Sequence, residues 1–449
     1  MDIKQTRSFS WATLAAIFIS LFLLGASFYF IFLSYDLPAV NLPWIPQFGI
    51  NFALGINPIS AITILLTTLL TPLILVVSGT TPVKNQAWFV TLMIVMEFAL
   101  LGVFLARDGF LFYVFWELVL IPAFFMILIW GGEKRVRIAI TFLLYSLLGS
   151  FFLLASLLFL YLQTPAPHQF GFDALFSLTL SPIEQRWIFC GLFAAFALKL
   201  PIFPLHRWQP NTYDCLPTSG SMFVAGLVSK MAVYGVLQFL LPLTPLALAW
   251  GQSFVLPLLV ISVLYGSVIA LKEFNFKRLI AYASIAHGSL ILAGALSGTT
   301  EGFHGSLIQT VAHAFGIIGL FVAAQILHRW TGTLNLSRMG GFVMQSKLFT
   351  KCFFLIILGA IGLPLTAGFI GEFMILWGLF QVNMLIAGLA GLSIILGAWV
   401  MLNVYQSALL GVPVSVIGNS KIYKREFIVM IVVIITLFGL GIFPGVLLP

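Results

Sequence analysis

Apolar stretches long enough to cross a lipid bilayer occupy most of this 449-residue chain. About 20 apolar residues span the hydrocarbon core, because an α-helix rises about 1.5 Å per residue. By this rule the sequence predicts thirteen membrane spans joined by mostly short connections. They are expected at roughly 11–33, 53–77, 87–105, 109–130, 138–162, 187–205, 217–240, 252–271, 278–297, 303–327, 350–380, 385–410 and 426–447.

The composition excludes a soluble protein. Hydrophobic residues make up 61% of the chain and charged residues only 8%, whereas a soluble domain is about 25% charged. The Leu-, Ile- and Phe-rich spans lack strand alternation, so helices are favoured over a β-barrel. We therefore predict an all-α polytopic membrane protein, with a single integral-membrane domain over residues 1–449.

The connecting loops separate the basic residues by side. Of the 21 Lys and Arg residues, seventeen fall on the side of the N-terminus and only Arg107 and Arg186 on the other. Cytoplasmic loops are enriched in Lys and Arg. The N-terminus is therefore predicted to be cytoplasmic and the C-terminus outside. The first span follows basic residues, as a signal peptide does, but its apolar run is too long, so we expect it to be retained.

Several ionisable residues lie inside the apolar spans. A Lys or Glu at the bilayer centre costs at least about 2.5–3.5 kcal/mol, so such residues indicate a polar pathway within the bundle. The alternative is that they form fixed ion pairs or packing contacts between helices. These residues are Glu97, Glu117, Lys199, Lys230, His287, His313 and Glu372.

A chain of titratable groups suits protons better than bulky solutes. Glu117 and Lys199 are expected to titrate as a coupled unit. His287 and His313 lie on adjacent spans, and histidine can pass protons near neutral pH.

Prolines interrupt two of the spans. Pro201 and Pro204 follow Lys199 in the sixth span, and Pro364 lies in the overlong eleventh span, which we predict to be two half-helices. The two breaks are five spans apart. This spacing predicts two five-helix repeats, 87–240 and an inverted 252–410, each with its broken helix fourth. A simple proline kink in each span is the alternative.

Six motifs resemble the antiporter-like membrane subunits of respiratory complex I, the proton-translocating NADH:quinone oxidoreductase. The resemblance covers roughly residues 45–445, and the glutamate beside the late break is typical of the M subunits. The motifs are FWELVLIP at 115–122, KLPIFPLH at 199–206, PTSGS at 217–221, AGLVSK at 225–230, KRLIAYASIAH at 277–287, and 362–376 with GLP at its start and GEFMIL at its end.

The resemblance implies that the chain translocates protons while the complex transfers electrons from NADH to quinone. By matching position, Glu117 and Lys199 would be the gating pair and Lys230 the central proton carrier. The two span histidines would link Lys230 towards Glu372, the terminal residue of the channel.

The resemblance also implies that this chain holds no cofactor. NADH, FMN, iron–sulfur clusters and quinone are expected in or between partner subunits. The three cysteines are far apart and include no C-x-x-C pair, and no glycine loop of the phosphate-binding type opens a helix. The expected partners are other membrane and peripheral subunits, including neighbouring antiporter-like subunits, and the lipid bilayer of a cell inner membrane; no nucleic acid is expected.

Two departures from the family accompany the resemblance. Its members usually start with one more helix, so this chain is expected to begin at their second helix. Asn211 stands where an aspartate is usual.

Two other functions stay open: a subunit of a multi-subunit cation/proton antiporter, and a non-transporting scaffold. Glu372 favours the oxidoreductase over the antiporter, and the buried lysines argue against the scaffold.

Overall fold

The long apolar runs form a bundle of helices with two small two-stranded sheets. The computed structural model describes residues 3–4, 10–33, 40–411 and 421–447. The helices up to residue 215 are α1 (Trp11–Phe28), α2 (Pro58–Ser78), α3 (Gln86–Leu105), α4 (Gly109–Leu118), α5 (Leu120–Trp130), α6 (Arg135–Gln163), α7 (Phe172–Phe176), α8 (Pro182–Lys199) and α9 (Trp208–Cys215). Those that follow are α10 (Thr218–Phe223), α11 (Lys230–Gly235), α12 (Leu241–Leu243), α13 (Pro245–Lys272), α14 (Phe276–Ala295), α15 (Thr300–Thr331), α16 (Phe342–Gln345), α17 (Lys347–Ile361), α18 (Ala367–Val382), α19 (Met384–Leu409) and α20 (Lys424–Ile442).

The described chain contains eleven helical segments long and apolar enough to cross a membrane. They coincide with eleven of the predicted spans, so the all-α polytopic fold is confirmed. The other two predicted spans hold α8, which has 18 residues and three charged side chains, and the shorter helices α17 and α18. The total of thirteen spans and the two repeats stay predictions.

The sixth predicted span ends earlier than expected. Helix α8 stops at Lys199, and residues 200–205 form turns instead of the last part of the span. Leu200 is extended because the ring of Pro201 disfavours a helical residue before it. The carbonyl of Leu198 accepts a hydrogen bond of 3.1 Å from the indole N–H of Trp208. A backbone carbonyl at the end of α8 is thus paired with a side chain of α9.

The eleventh predicted span is two half-helices, as predicted. Helix α17 ends at Ile361, and the Gly362 that caps it has a φ of +75°, in the left-handed region that glycine adopts without steric cost. Leu365 also has a positive φ, of 79°, and α18 begins at Ala367. Irregular backbone of this kind at membrane depth is tolerated where it is buried in protein or lines a polar cavity.

The seventh span carries an irregularity that the sequence did not predict. Lys230 begins α11 between two π-helical turns, Val224–Val228 and Val236–Leu240. Turns of this kind occur frequently at functional sites because they re-aim the side chains of a helix.

Helices α15 and α18 approach each other closely. A methyl group at Gly371 would lie 2.7 Å from Gln309 Oε1, and one at Gly305 would lie 2.7 Å from the backbone nitrogen of Ile375. Small residues let membrane helices pack backbone to backbone. The crossing holds the residue after Gly371, which is Glu372, against the middle of α15.

An antiparallel hairpin, also not predicted, precedes α2. It pairs β2 (Val40–Ile45) with β3 (Ile50–Leu54), so the predicted start of the second span at residue 53 is wrong and the helix begins at Pro58. The other sheet is parallel and pairs β1 (Ile3–Lys4) with β4 (Ile422–Tyr423).

Candidate functional site

Four of the six predicted site residues form one continuous polar chain. Lys230 Nζ lies 2.5 Å from His313 Nδ1, and the rings of His313 and His287 have centroids 5.5 Å apart. His287 Nε2 lies 3.3 Å from Glu372 Oε1. These residues come from α11, α15, α14 and α18, so the chain runs through four helices.

Lys230 is buried without a carboxylate beside it. Its side chain is 2% exposed, and it takes part in none of the ion pairs within 4.0 Å in the described ranges. An ammonium group can only donate, so Nδ1 of His313 accepts when Lys230 is charged. The geometry therefore favours a single excess proton on this pair, because two adjacent cations would repel each other in a low dielectric.

His287 and Glu372 are placed to share one proton. His287 Nδ1 lies 3.0 Å from the carbonyl oxygen of Ala283. A carbonyl only accepts, so Nδ1 must carry a hydrogen and Nε2 faces the carboxyl group. The one remaining proton then lies either on His287 Nε2 or on Glu372 Oε1.

The carboxyl group of Glu372 has a second partner that sequence reasoning missed. Gln309 Nε2 donates to Glu372 Oε1 over 3.1 Å. Gly362, in the break between α17 and α18, leaves room for the other oxygen, since a methyl group there would lie 3.0 Å from Oε2. The only sequence signal for Gln309 is a polar residue one helical turn before His313 in an apolar span.

A small cavity adjoins the histidine pair. It has a volume of about 30 Å³, and its lining includes His287, His313 and Gln309. Such a volume holds about two waters. His313 Nε2 and Gln309 Oε1 are buried and have no hydrogen-bonding partner among the described residues, and polar atoms of this kind usually bind ordered water. A second cavity of about 20 Å³ touches His287 from the side of Ser267.

Glu117 and Lys199 are close but not in contact. Each lies within electrostatic range of the other, yet no ion pair within 4.0 Å joins them in the part of the chain that the structure describes. Lys199 Nζ instead lies 5.3 Å from the ring centroid of Trp116, which is within cation–π range. Ser150 of α6 is a polar neighbour of Glu117.

The two groups of predicted residues are separate. Lys199 closes α8, and Phe196, one turn earlier, packs against Gly235 of α11. No hydrogen bond between described residues joins Lys199 to Lys230. The structure thus brings together the chain from Lys230 to Glu372 and leaves Glu117 with Lys199 as a second charged pair beside it.

Glu97 lies elsewhere. It is fully buried in α3, and Ser20 of α1 donates to its Oε1 over 2.8 Å. Thr71 of α2 is its other polar neighbour. This position at a seam of three helices matches the packing alternative for Glu97.

Asn211 lies in α9, which follows the turns at 200–205, and it contacts the start of α14. Arg278 Nη1 donates to Asn211 Oδ1 over 3.0 Å, and Arg278 Nε pairs with Glu273 at 3.0 Å. The asparagine therefore takes part in an ordered polar contact at this end of the bundle.

The described residues show no group of three or more His, Cys, Asp or Glu side chains that could hold a metal ion. Cys190, Cys215 and Cys352 are free thiols on separate helices, so they do not fit an iron–sulfur cluster, which needs clustered thiolates. The location of the redox groups in other subunits stays a prediction.

Comparison with known proteins gives the family. The transmembrane family model described as NADH:quinone oxidoreductase/Mrp antiporter matches residues 106–397, a range that contains all six predicted site residues. The chain belongs to this family.

Relatives of known structure or name agree with this assignment. NADH-quinone oxidoreductase subunit M of Rickettsia conorii is 34% identical over 409 residues, covering 90% of this chain and 82% of the relative. A chain of respiratory complex I from Thermus thermophilus has a TM-score of 0.89 at 31% identity, with 97% and 96% of the two chains covered. A chain of the Mrp complex from a Dietzia species has a TM-score of 0.85 at 19% identity, covering 97% of this chain and 48% of its own, and shows the shared fold only.

Proposed function

We propose that this chain is the antiporter-like membrane subunit of an NADH:quinone oxidoreductase, in which it translocates protons while the complex transfers electrons from NADH to quinone. The observation that carries the proposal is the continuous chain from Lys230 through His313 and His287 to Glu372. It occurs in a protein 34% identical to an oxidoreductase subunit M over 90% of its length.

The proton moves along this chain in steps. Lys230 Nζ passes a proton to Nδ1 of His313, with which it is in contact. His313, whose Nε2 has no hydrogen-bonding partner in the described part of the chain, passes a proton to His287 through water in the cavity that both rings line. His287 Nε2 then transfers its proton to Glu372 Oε1. Each step moves one proton between groups already in contact or separated by room for water.

Glu117 and Lys199 would control the first step. Helix α8, which Lys199 closes, packs against α11 through Phe196 and Gly235. A positive charge on Lys199 would disfavour a proton on Lys230, and Glu117 would weaken that charge when it approaches. The present separation of more than 4.0 Å leaves the pair free to tighten and loosen, which a locked salt bridge would prevent.

Electron transfer takes place in other subunits under this proposal. The chain lies in a cell inner membrane with a cytoplasmic N-terminus and an outer C-terminus, as its loop charges indicate. The antiporter alternative has weaker support, because the Mrp likeness at 19% identity extends only to the fold.

The central carrier gives the first test. Lys230→Met keeps the length and apolar volume of the side chain but cannot hold a proton. We expect an assembled complex whose proton transport, measured in liposomes with a pH-sensitive dye, falls by roughly 100-fold. Normal pumping by this variant would remove Lys230 from the pathway.

The end of the chain gives the second test. Glu372→Gln should block transport while assembly persists, because an amide cannot alternate between two protonation states. Glu372→Lys should keep part of it, since lysine can carry a proton and sister subunits of the resembled family have lysine at the matching place. Transport by the Gln variant at the native rate would move the exit elsewhere.

The charged pair gives the third test. Glu117→Gln should lose most proton transport, because a neutral amide cannot modulate the charge of Lys199. Glu117→Asp should keep a substantial part, since the charge survives and no direct contact has to be rebuilt. Equal transport by the two variants would reduce the pair to a packing role.

Thiol labelling tests the orientation. In a chain with Cys190→Ser and Cys352→Ser, half-exposed Cys215 should react with a membrane-impermeant maleimide in inside-out vesicles and not in intact cells. Glu133→Cys, at an exposed position of the loop predicted on the same side, serves as the positive control. Labelling of either site from the outside would overturn the orientation.

A further inference from the structure

Gln309 is a buried polar residue to which the proton pathway above gives no part. Its side chain is 3% exposed, and its amide nitrogen donates to Glu372 Oε1 over 3.1 Å. The close crossing at Gly371 fixes it, since a methyl group there would lie 2.8 Å from the Cβ of Gln309. The amide is therefore held in place against the carboxyl group.

The geometry at Glu372 Oε1 makes this contact selective. The oxygen faces two nitrogens: Gln309 Nε2 at 3.1 Å and His287 Nε2 at 3.3 Å. An amide nitrogen only donates, so Gln309 favours the form in which Oε1 accepts. The terminal torsion of a glutamate has a broad energy profile, and the amide restricts it to the orientation that faces His287.

We infer that Gln309 is a positioning residue that holds Glu372 Oε1 opposite His287 Nε2 and favours release of the proton from Glu372. The inference rests on the proposed function. In the step concerned, the N–H bond of the His287 imidazolium breaks and an O–H bond forms on Glu372, which leaves a neutral imidazole and a neutral carboxylic acid. A hydrogen bond donated to the carboxylate is stronger than one donated to the acid. Gln309 therefore prevents Glu372 from retaining its proton too tightly.

Few other charges act on this site. His287 is the only described ion-pair partner of Glu372, and His313 and Lys230 lie beyond it in the chain. Glu426 of neighbouring α20 pairs with Arg329 instead. Lys230 also acts on His287 electrostatically, whereas α17 and α19 contribute no described ion pair to Glu372. A difference in pH dependence between a Gln309 variant and the native chain, with Lys230 and the histidines unchanged, therefore reports on Gln309.

The test is the pH profile of proton transport by the whole complex in liposomes. Gln309→Leu removes the donor at nearly unchanged volume. Hydrogen bonds to charged groups contribute enough to move a protonation equilibrium about tenfold, so the acidic limb should shift upward by about one pH unit. The ratio of variant to native transport should then rise with pH.

Gln309→Glu should give the opposite trend. Its carboxyl group has the shape of the amide but donates only while protonated, so it replaces Gln309 at acidic pH. At higher pH its charge repels that of Glu372. The ratio of variant to native transport should therefore fall as the pH rises. A native pH dependence in this near-isosteric variant would overturn the inference even if Gln309→Leu failed to assemble.

Gln325→Leu is the matched control. Gln325 lies on the same helix and is 2% exposed, but it donates to the carbonyl of Val77 and to Thr80. An equal shift in this control, or lost transport without any shift in Gln309→Leu, would reduce Gln309 to packing. If Glu372→Gln blocks transport while both Gln309 variants keep the native profile, the proposed function stands and only this inference fails. If Glu372→Gln transports normally, both fail.

Discussion

The cost of placing ionisable groups in a low-dielectric bundle determines how this site is built. Each such group must find a hydrogen-bonding partner within the protein, because the hydrocarbon offers none. Lys230 lacks a carboxylate and contacts His313, whereas Glu372 contacts His287 and Gln309. Since the Lys230–His313 and His287–Glu372 contacts can each be made with the proton on either member, the partners that make burial tolerable also form the route of the proton under the proposed function.

Irregular backbone makes these contacts possible. A straight helix would direct Lys230 by its regular period alone, but π-helical turns flank it on both sides. The break at Gly362 provides room for the Glu372 carboxyl group, and the close crossing at Gly371 places that carboxyl group against Gln309. Each irregularity lies next to a group of the proton chain, which is where a membrane protein can satisfy freed backbone atoms.

The sequence predicted whatever depends on local composition. The apolar runs located the helices, Pro364 located the break in the eleventh span, and the cost of buried charge singled out seven residues, to six of which the family resemblance gave a role in the pathway. Gln309 was not predicted, because burying a neutral amide in an apolar span costs little free energy compared with burying a charge, and because Gln309 belongs to no motif. The gap between Glu117 and Lys199 depends on how α4 packs against α8, and no local pattern encodes such a distance.

The β2–β3 hairpin is a second feature that the local sequence pattern did not predict. Pro43 interrupts the alternation of its first strand, and a proline within a short apolar run argues against a strand. The strand forms at a sheet edge, where proline is tolerated, and β3 continues the pairing to Ala106 at the end of α3. The extended backbone of this segment therefore depends on pairing between strands, which the pattern of its first strand alone does not reveal.

The donors around Glu372 also bear on which ion the proposed pathway would carry. A hard cation such as Na⁺ requires several oxygen ligands, but the partners that the structure describes for Glu372 Oε1 are the nitrogens of His287 and Gln309. A hydrogen-bond donor occupies the space that a cation would need, and the adjoining cavity of about 30 Å³ leaves little room for a hydrated one. A proton needs neither a coordination shell nor a pore, because it moves by exchange along existing hydrogen bonds. Under the proposed function, the nitrogen partners of Glu372 Oε1 therefore favour protons over metal cations.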